Sequence, residues 1–365
     1  MMTHSSQLIF EPLAIMSEPR KFLVIGAGLA GLSVAIQLLR KGARVTVLDN
    51  QVNFSSIVAA GMINPIVFRR MTKGWRVDEF VPACNEFYSS IETETGTDFF
   101  RNITIRRMFS SEFERELWLK KQELETFKDY LTPLEASDDK YDRAINPFGS
   151  GRVKNSSAVI AETFIAASKQ LISEHKLGTL LHATYSAEDM NQTTYKGTFY
   201  DDIVFCEGYL GIHNPLFTGT NLEATKGETL VVRSENLPED ESLNRKCFNL
   251  PMGDHRFKIG STIDWNNSTT NITEEGRNEI LEKFSFLTDE PIEVLDQKAG
   301  VRPTTKDRRP IIGSHSELSN YHIFNGLGAK GYLLAPLLSY EFACYLIDGR
   351  ELDPEVLLSR FYPGR

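Results

Sequence analysis

The sharpest patterning lies between residues 22 and 49. Phe22–Ile25 is an unbroken apolar run, of a length that suits a parallel strand buried on both faces. After Gly26-Ala27-Gly28-Leu29-Ala30-Gly31, apolar side chains recur at Leu32, Ala35, Ile36 and Leu39, which is helical spacing. Gly42 supplies a stop, and Arg44–Leu48 reads as a second strand ending at Asp49.

This regular alternation does not continue. Residues 76–130 read as helical and charged, with Trp118, Leu119, Leu124 and Phe127 on apolar faces. Residues 131–155, rich in Asp, Pro, Gly and Ser, read as loops. A second helix is predicted over 159–174, and a buried strand over Asp202–Glu207 closing at Gly208. Short strands are predicted at 228–233, 247–250 and 257–263, a helix at 274–287, strands at 309–313 and 321–325, and a last helix at 333–348. The expected fold class is α/β. A discontinuous Rossmann-type nucleotide-binding domain takes residues 21–70, 155–215 and 295–365. A sheet-rich α+β substrate domain takes 71–154 and 216–294, and residues 1–20 form an extension. Ligands are expected where the two domains face each other.

Strand, glycine turn, helix, strand and acid together give the Gly-x-Gly-x-x-Gly run a definite chemistry. Gly26 permits the tight turn, Gly28 lets backbone approach a pyrophosphate, and Gly31 lets the helix pack closely on the strand. With Ala27, Leu29 and Ala30 they place a helix N-terminus, with its free N–H groups, at the phosphates. Asp49, followed by Asn50, sits where a carboxylate accepts ribose hydroxyls, which favours FAD or NAD over NADP. A membrane span over 22–39 is a poor alternative. The spaced glycines, Ser33, Gln37 and the lack of a second such segment oppose it.

The chain of 365 residues has a formal net charge of −9, a field that does not attract nucleic acid. Local clusters at Arg69, Arg70, Lys73 and Arg76, and at Arg101, Arg106 and Arg107, read as solvated faces. Four widely spaced cysteines without a CxxC pattern predict no disulfide frame and no metal site. The first 20 residues lack a signal-peptide core, and Met16 is a candidate start. The expected location is the cytoplasm, without membrane attachment.

Three further segments are Ser55-Ser56 with Ala59-Ala60-Gly61-Met62, the run AGVRPTTKDRRPIIG over 299–313, and NGLGAKGYLLAP over 325–336. With the glycine turn they make the chain resemble the D-amino-acid oxidase-like flavoproteins, most closely the glycine oxidase and sarcosine oxidase branch. The resemblance implies non-covalent FAD and oxidation of the C–N bond of a small amino acid or secondary amine. Hydride would pass to flavin N5, with molecular oxygen as acceptor. Two other readings stay open: a dehydrogenase using another acceptor, and an oxidase acting on a carboxymethylaminomethyl group of modified tRNA.

The same resemblance places Ser55, Ser56 and Ala60–Met62 beside the flavin. It places Leu327, Gly328, Ala329, Lys330, Gly331, Tyr332 and Leu333 along the flavin's pyrimidine edge. Arg302 is the candidate for the substrate carboxylate: Pro303 holds it extended, and a guanidinium fork matches a carboxylate. A pairing with Asp307 is the alternative. Lys258 matches a Lys-apolar-Gly strand in which sarcosine oxidase carries a lysine that promotes reaction with oxygen. A solvated strand edge is its alternative. Phe248, Ala329 and Gly300 depart from the family pattern. Phe248 stands where a substrate tyrosine is found, and Ala329 where some relatives have a second substrate arginine, with Lys330 as neighbouring cation. Gly300 stands where a cysteine attaches flavin.

Overall fold

The computed structural model describes residues 18–52 and 55–362. Most of the predicted extension, and Met16, lie outside them. The strand Lys21–Ile25 runs into the glycine turn, the helix Leu29–Arg40 and the strand Arg44–Asp49. The two strands pair in parallel, Phe22 opposite Val45 and Ile25 opposite Leu48. They form the middle of a six-stranded sheet in the order Ile311–Ser314, Tyr321–Asn325, Asp202–Phe205, Lys21–Ile25, Arg44–Asp49, Gly178–His182. Every pairing is parallel except that of the edge strand Ile311–Ser314. The chain leaves the first strand toward one neighbour and later returns on its other side. The C-terminal end of that strand is therefore a switch point, where open sheets bind ligands.

The strands of this sheet are apolar on both faces, and helices cover one face while Tyr195, Tyr200 and Phe217 pack on the other. Leu32, Ile36 and Leu39 of the first helix share one core with Tyr88, Phe164 and Phe342 of three others. The last helix, Gly331–Asp348, carries Pro336 near its start. Proline has no N–H for the carbonyl of Tyr332, four residues earlier. The buried Tyr88 hydroxyl donates to that carbonyl instead, at 2.7 Å, and Cys84 Sγ lies 3.5 Å from it.

An eight-stranded sheet forms the second layer, in the order Glu293–Thr305, Leu222–Arg233, Arg256–Gly260, Cys247–Gly253, Glu241–Arg245, Phe100–Met108, Ser150–Val159, Met62–Ile63. One face packs Leu230, Val232, Phe257 and Ile259 against Ile280 and Phe284 of the helix Glu274–Phe284. The opposite face carries Thr229, Phe248, Gly300 and Arg302 toward the first layer. The strands Ser150–Val159 and Glu293–Thr305 belong to this sheet, so it draws on chain either side of positions 155 and 295.

The uniform helix expected over 76–130 is corrected. Val77–Thr95 and Glu112–Gln122 are helical, but Phe100–Met108 is an interior strand. Its arginines are not a solvated face either. Arg106 is buried between Asp138 and Glu241, 2.8 Å from each, and Arg107 pairs with Glu114 at 2.7 Å. The Arg106 acids lie 32 and 135 positions away, so the run reads locally as a charged surface. The strand Ser150–Val159 likewise begins inside the expected loop. No helix among the described residues is long and apolar enough to cross a membrane.

Candidate active site

Two cavities, of 340 and 310 Å3, lie along the C-terminal ends of the parallel strands. Gly28, Ser56 and Cys206 line both, so they form one cleft. Gly26, Ala27, Asp49 and Asn50 line one half. Leu29, Ala30, Ser55, Ala60, Gly61, Met62, Gly208 and Leu327–Leu333 line the other. Gly31 is a packing residue: a Cβ there would stand 1.8 Å from the Gly26 carbonyl oxygen. Gly26 has φ +112°, where side chains are strained, and a Cβ would meet the Cys206 carbonyl at 2.4 Å.

The helix Leu29–Arg40 begins at Gly28, whose position has no side-chain cap. Ser56 Oγ accepts the Leu29 N–H at 2.9 Å, and the Tyr332 hydroxyl donates to the Ser56 carbonyl at 2.9 Å. Ser55 Oγ donates to the Val301 carbonyl. Both serine hydroxyls thus stitch the cleft wall together. The last helix also starts on the cleft without a side-chain cap, so two positive helix ends face the same space. Asp49 is buried. It accepts the Gln51 N–H at 2.9 Å and pairs with Lys169 Nζ at 2.7 Å.

Arg302 sits on the edge strand of the eight-stranded sheet, where Pro303 is tolerated. The pleat sets it on the same face as Gly300, with Gly227 across the ladder. Its guanidinium lies over Gly227, where a Cβ would be 2.2 Å from Nη2, and Nη2 donates to Ser261 Oγ at 3.1 Å. The alternative partner is taken: Asp307 pairs with Arg360 at 2.9 Å. Burial alone pushes the Arg302 pKa below its ordinary value. Lys330 lines the same cavity and is pushed down by burial in the same way.

Lys258 is not a strand-edge residue. It lies on an interior strand, 8% exposed, and its Nζ donates to the Ala59 carbonyl at 3.2 Å. Burial lowers its pKa, and it does not line the cavity but stands behind the Ala59–Ala60 wall. Phe248 does line it, as does Gly300, where a Cβ would come within 3.1 Å of the Ser55 Cα.

A family model described as FAD dependent oxidoreductase matches residues 21–344. The chain belongs to this FAD-dependent oxidoreductase family. It is similar to the uncharacterized oxidoreductase YurR of Bacillus subtilis, at 24% identity over 92% of this chain and 96% of that one. It is similar to a glycine oxidase of Bacillus licheniformis, at 25% identity over 91% of this chain and 94% of that one. The crystal structure of glycine oxidase from Geobacillus kaustophilus superposes with a TM-score of 0.77 at 19% identity, covering 91% and 96% of the two chains. The cofactor of this flavoenzyme is FAD, and the donor set fits it. The glycine turn has no room for side chains, a helix end with glycine at its N-cap faces the cleft, and a buried carboxylate stands some 20 residues on.

Sequence reading missed Lys169, Gly227, Ser261 and Asn64 in the cleft wall. Lys169 looked like any helix-surface lysine, and nothing local marks Gly227 as lying under a guanidinium 75 residues away. Among the described residues no cluster of His, Cys, Asp and Glu is built to hold a metal.

Proposed function

We propose that this flavoenzyme oxidises the C–N bond of a small amino acid or secondary amine, with Arg302 binding the substrate carboxylate. One observation carries the reading. Arg302 is a half-buried, partly desolvated guanidinium on the cavity wall with no carboxylate of the described residues acting on it, and such a cation is stabilised by a counter-charge. A Rossmann-type domain would hold FAD non-covalently through Gly26–Gly31, Asp49 and Asn50, Ser55 and Ser56, Ala60–Met62, Gly208 and the backbone of Leu327–Leu333, which leaves the Lys330 side chain to the substrate. The thiol nearest the cleft, Cys206, is pushed far up by burial and unsuited to attachment. When bound, the cofactor supplies a two-electron acceptor for the hydride on the amine-bearing carbon.

The protein's share is orientation. With the carboxylate on Arg302 the substrate is fixed at one end, and the amine stays neutral in a cavity whose cations repel its protonated form. Loss of hydride from the neutral amine leaves an iminium ion, which water hydrolyses to a carbonyl compound and a protonated amine. No side chain need act as a strong base. Purified protein should be yellow and lose its flavin to the supernatant on acid precipitation. Under anaerobic conditions, small amino acids should bleach it much faster than the corresponding amines without a carboxylate. Bleaching by both classes alike would remove the carboxylate site from the reading.

Oxygen is the acceptor we propose, with Lys258 as the cation that favours it from behind the Ala59 carbonyl. Lys258→Met should slow reoxidation by oxygen at least tenfold more than it slows anaerobic reduction, if a desolvated charge supplies ~1.4 kcal/mol or more. Because burial holds the Lys258 pKa below 10.5, reoxidation should fall as pH rises through that lowered value and the cation is lost. A pH-independent oxygen step, unchanged in the variant, would assign Lys258 to structure. The four free, buried cysteines suit a reducing cytoplasm.

A further inference from the structure

We propose that the substrate carries two acidic groups, one held by Arg302 and the other by Lys330. The proposal rests on the amine-oxidation reading above and narrows its substrate to amino dicarboxylates. Both cations line the 340 Å3 cavity. They belong to different walls. The Arg302 guanidinium lies on the sheet side, over Gly227 and against Ser261. Lys330 belongs to the turn Gly328–Lys330 before the last helix, and its Nζ would stand 3.6 Å from a Cβ at Gly74, on the opposing segment.

Away from the cavity wall, Lys258 and Arg245 are buried with a backbone carbonyl as hydrogen-bond partner, while other inward-facing cations have a counter-charge built in. Arg106 has Asp138 and Glu241, Lys226 has Glu228 at 3.1 Å, and Lys169 has Asp49. Arg302 and Lys330 differ: no acid of the described residues acts on either, and burial is the sole cause of the shift of each. One substrate carboxylate seated on the Arg302 fork leaves the half-buried Lys330 ammonium without a counter-charge, which is the costlier arrangement. A second acidic group on the substrate removes that cost. The residue types suit this division. The planar fork fixes the carboxylate next to the reacting carbon, while a lysine on a flexible stem meets a second anion whose position varies with chain length.

The test compares diacids with near-isosteric neutral partners on the FAD-loaded enzyme. The pairs are iminodiacetate against its monoamide, and each enantiomer of aspartate against that of asparagine. The readout is the second-order rate constant for anaerobic bleaching. A charge-assisted contact predicts that at least one diacid exceeds its amide by about 10- to 100-fold. Lys330→Met, similar in length and uncharged, should lower the diacid rate at least tenfold more than the amide rate, so that the preference collapses. Diacid and amide acting equally well, or a Lys330→Met loss equal on both, would overturn the second acidic group while leaving the amine-oxidation reading in place. If small monocarboxylic amino acids and diacids alike fail to bleach the flavin, both fall together.

Discussion

Replacing Arg302 by alanine is expected to lower kcat/KM for carboxylate-bearing amines by about 30-fold to a few thousandfold, with FAD content unchanged. A charge-assisted hydrogen bond contributes roughly 1.5–3 kcal/mol, and losing a two-pronged contact costs roughly 2–5 kcal/mol. Arg302→Lys keeps the charge but not the fork, so it should recover only part of the loss. The fold should survive, because among the described residues the guanidinium has one hydrogen bond, to Ser261, and no ion pair to surrender. Gly227→Ala offers an independent route to the same defect. Its new Cβ would fall 2.2–2.4 Å from Nη2, Nη1 and Cζ of Arg302. The far end of a flexible side chain can move away, so the protein should fold and bind FAD, yet the fork would be displaced. Both variants should lose much less on an amine without a carboxylate. Equal losses on the two substrate classes, or purification of Arg302→Ala as apoprotein, would show the arginine to be structural.

Gly31→Ala is expected to yield colourless protein. The added Cβ meets a backbone oxygen, the Gly26 carbonyl, at 1.8 Å, and no rotamer change relieves it. Either the helix Leu29–Arg40 retreats from the strand or the turn opens. Both movements disturb the Gly26 N–H bond to the Leu48 carbonyl and the helix end that faces the cleft. Overpacking of this kind costs about 1–3 kcal/mol of stability. The loss of cofactor binding should be the larger effect, visible as an absent flavin band and a melting temperature that added FAD no longer raises. A variant that purifies yellow, with wild-type affinity for FAD, would show that the turn tolerates the side chain.

The sequence revealed features whose chemistry is local. The glycine turn, the strand pair around it and the NGLGAKG turn before the last helix each carry their signal within about ten residues, and each lines the cleft or shapes it. Pro303 likewise announced an extended Arg302. What escaped depends on partners distant along the chain. Phe100–Met108 reads as a charged helix because Arg101, Arg106 and Arg107 look like surface residues. Only pairing with Glu241–Arg245 and Ser150–Val159 makes that run an interior strand. Lys169 gains its place from Asp49, 120 positions earlier. The alternation at 257–260 correctly put Lys258 opposite Phe257 and Ile259, but periodicity alone does not tell the cavity wall from the layer behind it.

The cleft joins stretches as far apart as Gly26 and Leu333, and this has a consequence for the order of assembly during synthesis. A ribosome that has released the glycine turn, Asp49 and the small helix at Ser55–Val58 has yet to make Arg302 and the turn before the last helix. The flavin-end wall is complete only when the helix Gly331–Asp348 docks and the Tyr332 hydroxyl reaches the Ser56 carbonyl. The cofactor therefore meets a complete cleft only after the last helix has been made. Once in place it behaves as a reversible cross-link between the two ends of the chain, and its cellular concentration sets part of the protein's lifetime.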